Sequence, residues 1–293
     1  MRPGLLPATV VLLGALVLAA CCTGTGNDGG TGPSWSVSGD GYLSLSCPVP
    51  VSVQEQVIVK NATLTLSRVS FFNIDQEVFG LLAVPENPRG ALVLAPGAGV
   101  TKDAERPRVE AYAMAGCAAI VLDLRGNGGE TGGRPLDPEL EFMAFDMGLW
   151  PWTYRTACDL SAARGILARL GYVPVYAMGA SNGGRSAAIA AAADRNFAGY
   201  IGVSTSGFGL AGKGYAGNTS RFLLSIDPDH VIGKISPRPT WIFHSEEDPV
   251  IPFEQGRALF ARAADPKEFI VFNGTHGEND EVDRQVIRIC TSP

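Results

Sequence analysis

The chain has 293 residues, 46% of them hydrophobic and 18% charged, with a formal net charge of −6. That composition describes a globular protein with a sizeable core and excludes a disordered chain. The acidic balance and the lack of any basic run argue against nucleic acid as a partner, and neither an internal repeat nor a zinc-type Cys/His spacing is present.

The first twenty residues stand apart. Arg2 supplies a positive start, and residues 8–20 are almost wholly apolar and end in small side chains. The stretch is short for a membrane span and fits the core of a signal peptide. Leu18-Ala19-Ala20-Cys21 resembles the lipobox of exported lipoproteins, which implies lipidation at Cys21 and an extracytoplasmic protein held at a membrane by that lipid. An ordinary cleaved signal and an uncleaved anchor are the alternatives. Residues 21–46 are expected to be a flexible tether, because the run 23–32 is small, polar and unable to offset its ordering entropy. The expected organisation is therefore a signal segment over 1–20, a tether over 21–46 and one folded domain over 47–293.

With Cys21 and Cys22 set aside, four cysteines remain: Cys47, Cys117, Cys158 and Cys290. An extracytoplasmic location permits disulfides, and four cysteines allow three pairings. A Cys47–Cys290 bridge, stapling the start of the domain to its last helix, is the expected one. Buried free thiols are the alternative, above all at Cys117 beside an apolar strand. Neither makes a cysteine the nucleophile. Asn-x-Ser/Thr sequons at Asn61, Asn218 and Asn273 are weak surface markers.

From residue 54 onward apolar runs and helical patterns alternate. Strands are expected over 57–59, 62–66 and 78–84 as an antiparallel start, then over 91–95 and 118–122 with a helix between them over 108–115. A long polar and aromatic loop leads to a helix over 154–170. Further strands fall over 173–178, 198–203, 240–243 and 268–272, with helices over 185–193, 253–263 and 280–289. This order implies an α/β fold: a mostly parallel sheet with antiparallel N-terminal strands and helices on both faces. The segment 207–237 is too short for a large lid.

The chemistry centres on Gly179-Ala180-Ser181-Asn182-Gly183, which joins an apolar strand to an alanine-rich helix. A strand entering a helix through Gly-x-Ser-x-Gly forces a sharp turn that lifts the serine oxygen above the sheet. A serine hydroxyl needs a base, usually a histidine oriented by a carboxylate. Only three histidines are available. His276 and His244 follow strand ends, where functional groups collect in such sheets, whereas His230 lies in a loop. Asp248 follows His244 in a proline-stiffened loop and is the candidate acid.

These residues resemble the α/β-hydrolase superfamily over essentially residues 54–293. Gly179–Gly183 matches its nucleophile elbow, the run 244–252 its acid loop with Asp248, and Gly274-Thr275-His276-Gly277 its histidine loop. The chain order Ser, Asp, His is the one expected for that fold. The resemblance implies a Ser181–His276–Asp248 triad, with an oxyanion hole formed by the N–H groups of Asn182 and Ala98. Ala98 lies in Pro96-Gly97-Ala98-Gly99, where proline stands in place of the family's frequent histidine. Asp123-Leu124-Arg125-Gly126-Asn127-Gly128 is similar to a loop common in the family and is expected to be structural, bordering the site.

Phe142, Met143, Phe145, Met147, Trp150, Trp152 and Tyr154 form an aromatic and methionine cluster. Phe145, Trp150 and Trp152 are candidates for an apolar pocket wall, with core packing as the alternative. The resemblance implies hydrolysis of a small-molecule carboxylic ester without metal or cofactor. Compact relatives such as dienelactone-hydrolase-like enzymes carry a cysteine where this chain has Ser181. A peptidase, an amidase or a thioesterase on the same triad, and a silent surface binding module, are the competing expectations.

Overall fold

The computed structural model describes residues 32–292, which belong to one unit. The expected signal segment, Cys21 and most of the expected tether lie outside the described residues.

Residues 33–46 depart from the expected tether. Strands β1 (Ser34–Val37) and β2 (Leu43–Ser46) pair antiparallel as a separate two-stranded sheet. The sequence Ser-Trp-Ser-Val and its partner Leu-Ser-Leu-Ser alternate polar and apolar residues with period two, so one face of the hairpin is apolar. Val37 and Leu43, opposite each other in the register, are buried in the main core. Burial of that face outweighs the entropy that the glycine-rich run before it suggested.

The main sheet is built in chain order from β3 (Gln54–Lys60), β4 (Leu64–Asn73), β5 (Gln76–Pro85) and β6 (Gly90–Ala95), then α1 (Arg106–Met114), β7 (Cys117–Leu122), α2 (Pro138–Asp146) and α3 (Trp152–Arg169). It continues with β8 (Val175–Ala180), α4 (Ser181–Ala193), β9 (Tyr200–Val203), α5 (Gly217–Ser225) and α6 (Pro228–Val231). The chain closes with β10 (Thr240–His244), α7 (Phe253–Arg262), β11 (Lys267–Val271) and α8 (Asp280–Thr291). In space the strands run β3-β4-β5-β7-β6-β8-β9-β10-β11. The first three are antiparallel, β5 pairs antiparallel with β7, and every pair from β7 to β11 is parallel. The α/β architecture expected from the sequence is therefore present, with helices flanking the sheet and no lid region among the described residues.

Period-two alternation divides the core. In β6, Ala91, Val93 and Ala95 face a cluster that includes Leu160 and Ile166 of α3 and Ala187 and Ala191 of α4. Leu92 and Leu94 face the opposite cluster, with Val109 and Tyr112 of α1 and Val282 and Val286 of α8. Every residue of β6 is buried, as a strand covered on both faces requires. Helix α2 interrupts what the sequence pattern presents as a loop. Asp137 caps it by accepting from the Glu139 and Leu140 amides at 3.0 and 3.2 Å, and Pro138 opens its first turn.

The disulfides join Cys47 to Cys158 and Cys117 to Cys290, with Cα separations of 5.5 and 6.0 Å. This corrects the expected Cys47–Cys290 bridge and also the alternative of a free Cys117. The sheet stands between the expected partners. Cys158 belongs to α3 on one face, whereas Cys290 belongs to α8 and packs with Cys117 on the other.

Candidate active site

The strand β8 ends at Ala180 and the helix α4 begins at Ser181 with no intervening residue. Ser181 takes a φ of +52°, a left-handed conformation that costs an L-residue roughly 1–2 kcal/mol. The flanking glycines are required by close approach. A Cβ on Gly183 would lie 2.0 Å from the Ala95 carbonyl oxygen, and one on Gly179 would lie 2.5 Å from the Gly183 carbonyl. Thr205, just beyond β9, donates its hydroxyl to the Ser181 carbonyl oxygen at 2.8 Å. The chain leaves β6 for β7 on one side and returns to β8 on the other, so the ends of β6 and β8 flank the crevice where such sheets bind ligands.

Asp248 and His276 meet beside this turn. The Asp248 side chain is fully buried, and its carboxylate accepts from His276 Nδ1 at 2.9 and 3.0 Å. One carboxylate oxygen also accepts the Val250 and Ile251 amides at 2.8 and 2.9 Å. Burial alone would raise the carboxyl pKa. The Ile251 amide, the His276 ring and the Val250 amide outweigh it and hold the group below its ordinary value. The histidine loop is tied to the elbow as well: the Gly277 amide donates to Ser204 Oγ at 3.0 Å, next to Thr205. Among the described residues no hydrogen bond joins Ser181 Oγ to His276.

Of the other two histidines, His244 backs the same carboxylate, its Nε2 3.4 Å from Asp248 Oδ2, and His230 is occupied elsewhere. His244 is fully buried, and its Nε2 lies 2.9 Å from the Ile251 carbonyl oxygen, bracing the acid loop from behind. His230 stacks on Tyr42 at 4.3 Å and bonds the Asp40 carbonyl oxygen at 2.9 Å, which fastens the β1–β2 connection to α6.

The turn after β6 completes the arrangement. Ala98 is exposed, and its N–H has no acceptor among the described residues. Gly97 sits directly beneath the Ser181 turn, where a Cβ on it would be 3.7 Å from Ser181 Cβ. Asn127 holds this turn in place. Its Nδ2 donates to the Gly97 and Val100 carbonyls at 2.8 and 3.1 Å, while its Oδ1 accepts the Gly99 amide at 3.3 Å. From the sequence Asn127 is expected only in a bordering structural loop; its place between Gly126 and Gly128 is the signal for a tighter role. Asp123 fixes the same loop by accepting the Lys102 and Glu130 amides at 2.7 and 2.8 Å.

No family model and no curated protein matches this sequence. Solved structures do match its backbone. An acetyl xylan esterase from Paenibacillus sp. R4 superposes with a TM-score of 0.67 at 17% identity, covering 82% of this chain and 88% of its own. A glucuronoyl esterase from Solibacter usitatus gives 0.60 at 16%, covering 88% of each chain. An α/β hydrolase from Penicillium sp. sh18 gives 0.56 at 18%, covering 83% of this chain and all of its own. This chain has the α/β-hydrolase fold. Within that fold, Ser181 stands at the elbow after β8, Asp248 after β10 and His276 after β11.

A cavity of about 360 Å³ opens beside the elbow of the hydrolase fold, lined by both Ala98 and Asn182 and walled by Trp152, Leu136, Phe208 and Ile226. Of the three aromatic residues expected in such a wall, only Trp152 lines it. Phe145 is buried in the core instead, with ring centroids 5.4 Å from Trp35 and from Phe222. Trp150 packs against the same core cluster. The β1–β2 hairpin supplies Trp35, so the partner that draws Phe145 inward comes from a segment expected to be unstructured.

Proposed function

We propose that the protein is an extracytoplasmic serine hydrolase that cleaves a carboxylic ester by acyl transfer to water. The observation that carries this reading is the strained Ser181 at the β8–α4 turn, set beside a buried Asp248 that already holds His276. In the first step His276 Nε2 takes the Ser181 proton as Oγ attacks the ester carbonyl carbon. The Ala98 and Asn182 N–H groups, with the positive end of α4 behind Asn182, stabilise the oxyanion that forms. Collapse expels the alcohol, which takes the proton from His276, and leaves an acyl-Ser181 ester. Water then attacks that ester, with His276 as base and Asp248 stabilising the imidazolium throughout. The esterases that share the fold support an ester over an amide as substrate.

Wild type and Ser181→Ala assayed on short- and long-chain p-nitrophenyl esters and on peptide p-nitroanilides test this. Ester turnover that falls by roughly a thousandfold or more in the variant is expected. No ester turnover in wild type, or equal turnover in the variant, sinks the proposal. The extracytoplasmic location rests on the segment 1–21, which supports export with a lipid at Cys21. The mass of the mature N-terminus tests the lipid anchor: a diacylated or triacylated Cys21 is expected, and an unmodified N-terminus at any other residue overturns the anchor.

A further inference from the structure

The cavity beside the elbow carries an electrostatic imbalance that ester hydrolysis by itself does not use. No aspartate or glutamate lines it, but Arg125 and Arg185 both do. Arg125 is neutralised: its Nε and Nη1 donate to Asp159 and Asp75 at 2.6 and 2.7 Å, and its Nη2 to the Asn73 carbonyl at 3.0 Å. Arg185 is not. Its Nε donates to the Ser206 carbonyl at 3.1 Å and its Nη2 to Ser206 Oγ at 2.9 Å. Among the described residues Nη1 has no acceptor, and no carboxylate oxygen lies within the 4.0 Å of an ion pair.

The nearest acids are committed elsewhere. Asp227 accepts the amides of Phe208, Leu210 and Asp229, and Asp229 accepts the Gly209 amide while facing Arg262 at 3.5 Å. Burial depresses the Arg185 pKa, and the fields of Asp227 and Asp229 offset this only in part. An unpaired charge drawn partly out of water is destabilised, and an incoming counter-charge relieves this. A ligand group that only accepts hydrogen bonds and carries negative charge meets this need.

Arg185 also has the right position. It lies three residues after Asn182 in α4, so the two side chains share one helix face, about 5–6 Å apart at Cβ. Its guanidinium packs 4.7 Å from the centroid of Phe208, itself a wall of the cavity. Ser206 and Phe208 thereby hold the planar fork, whose backbone lies about one helical turn along α4 from Asn182.

We propose that Arg185 determines specificity at this site: the substrate is an ester that carries a carboxylate, seated in the cavity against the Arg185 guanidinium while the scissile carbonyl lies at Ala98 and Asn182. This rests on the hydrolase reading above. Hydrolysis consumes one water and releases a free acid and an alcohol, one of which keeps the carboxylate.

Two ester pairs test it, each matching a charged member with a neutral one of similar size. The first is p-nitrophenyl hemiglutarate against p-nitrophenyl valerate, with the charge on the acyl side. The second is the acetate ester of 4-hydroxybenzoate against that of 4-hydroxyacetophenone, with the charge on the alcohol side. The readout is the ratio of kcat/KM within each pair for wild type, R185M and R185K. Wild type is expected to favour the charged member of at least one pair by roughly ten- to hundredfold. R185M should collapse that ratio to near one, and R185K should keep part of it. Ratios near one in wild type overturn the proposal. So does a ratio that survives in R185M, since a merely structural arginine would lower both rates together. If wild type cleaves no ester at all, the hydrolase reading fails separately, and glutarate titrated by NMR still decides: saturable binding weakened at least tenfold in R185M supports the anion site, and equal binding overturns it.

Discussion

Thr205 Oγ1 donates a 2.8 Å hydrogen bond to the carbonyl oxygen of Ser181. The residue that must hold a positive φ is thereby fastened through its backbone to the loop after β9, and the neighbouring Ser204 fastens the histidine loop in turn. Thr205→Val keeps the side-chain shape and removes the donor. The Ser181 carbonyl keeps its intrahelical partner in α4, so losing this second bond costs about 0.5–1.5 kcal/mol, and a lower Tm and at least a tenfold loss of kcat on a p-nitrophenyl ester are expected. Thermal melts run beside steady-state assays check this, and unchanged kcat would show that the bond does not position Ser181 for the proposed reaction.

Asp248→Asn retains an acceptor for the Val250 and Ile251 amides but loses the charge that orients His276. A fall in kcat of roughly a thousandfold or more is expected with the fold retained. The pH dependence has a definite sign. The Asp248 carboxyl is held below its ordinary value of 3.8, so its contribution to stability is present above that pH and is lost as pH falls through the folded value. Wild type should therefore exceed D248N in Tm at pH 7, with the gap closing below about pH 4. A gap that persists at pH 2 contradicts this.

Glu278 has the opposite sign. Burial lifts its carboxyl from 4.5 to about 7, against the pull of Arg108 and with the push of Glu105 and Asp283. The fold then favours the protonated acid, and that contribution is full below the unfolded value of 4.5 and is lost as pH rises through about 7. Glu278→Gln should match wild type in Tm near pH 4 and surpass it at pH 8. Equal melting at both values would place the carboxylate in water instead.

Non-reducing peptide maps should recover Cys47 with Cys158 and Cys117 with Cys290. Each bridge closes a long loop, 111 and 173 residues respectively, so removing either by paired serine substitution should cost about 2–5 kcal/mol, measured by denaturant unfolding. Recovery of a Cys47–Cys290 peptide would refute the packing of α3 and α8 on opposite faces.

Much of the fold was legible in local pattern. The strands β6 to β10 are apolar runs that a parallel sheet buries on both sides, and Ser181, Asp248 and His276 each stand just past a strand end in the order that fold uses. The glycines at 179 and 183 signalled a close approach that now has its partners, each other's backbone and the carbonyl of Ala95. Helix α2 was missed although Asp137-Pro138 carried its start signal, because a short cap in a polar stretch reads first as loop. The β1–β2 hairpin was missed because a glycine-rich preamble masked a period-two pattern of only four residues per strand.

What sequence alone determined is therefore what neighbours along the chain decide: which segments are strands or helices, where the serine turn falls, and which histidines follow strands. The tertiary structure alone decided the pairings between distant segments. It set Cys158 rather than Cys290 against Cys47, drew Phe145 into the core through Trp35, left Trp152 at the cavity, and surrounded Arg125 with carboxylates while giving Arg185 none. Each of these depends on which side chains a folded chain brings within a few ångströms. Burial and charge pairing act at that range, and spacing along the sequence does not encode it.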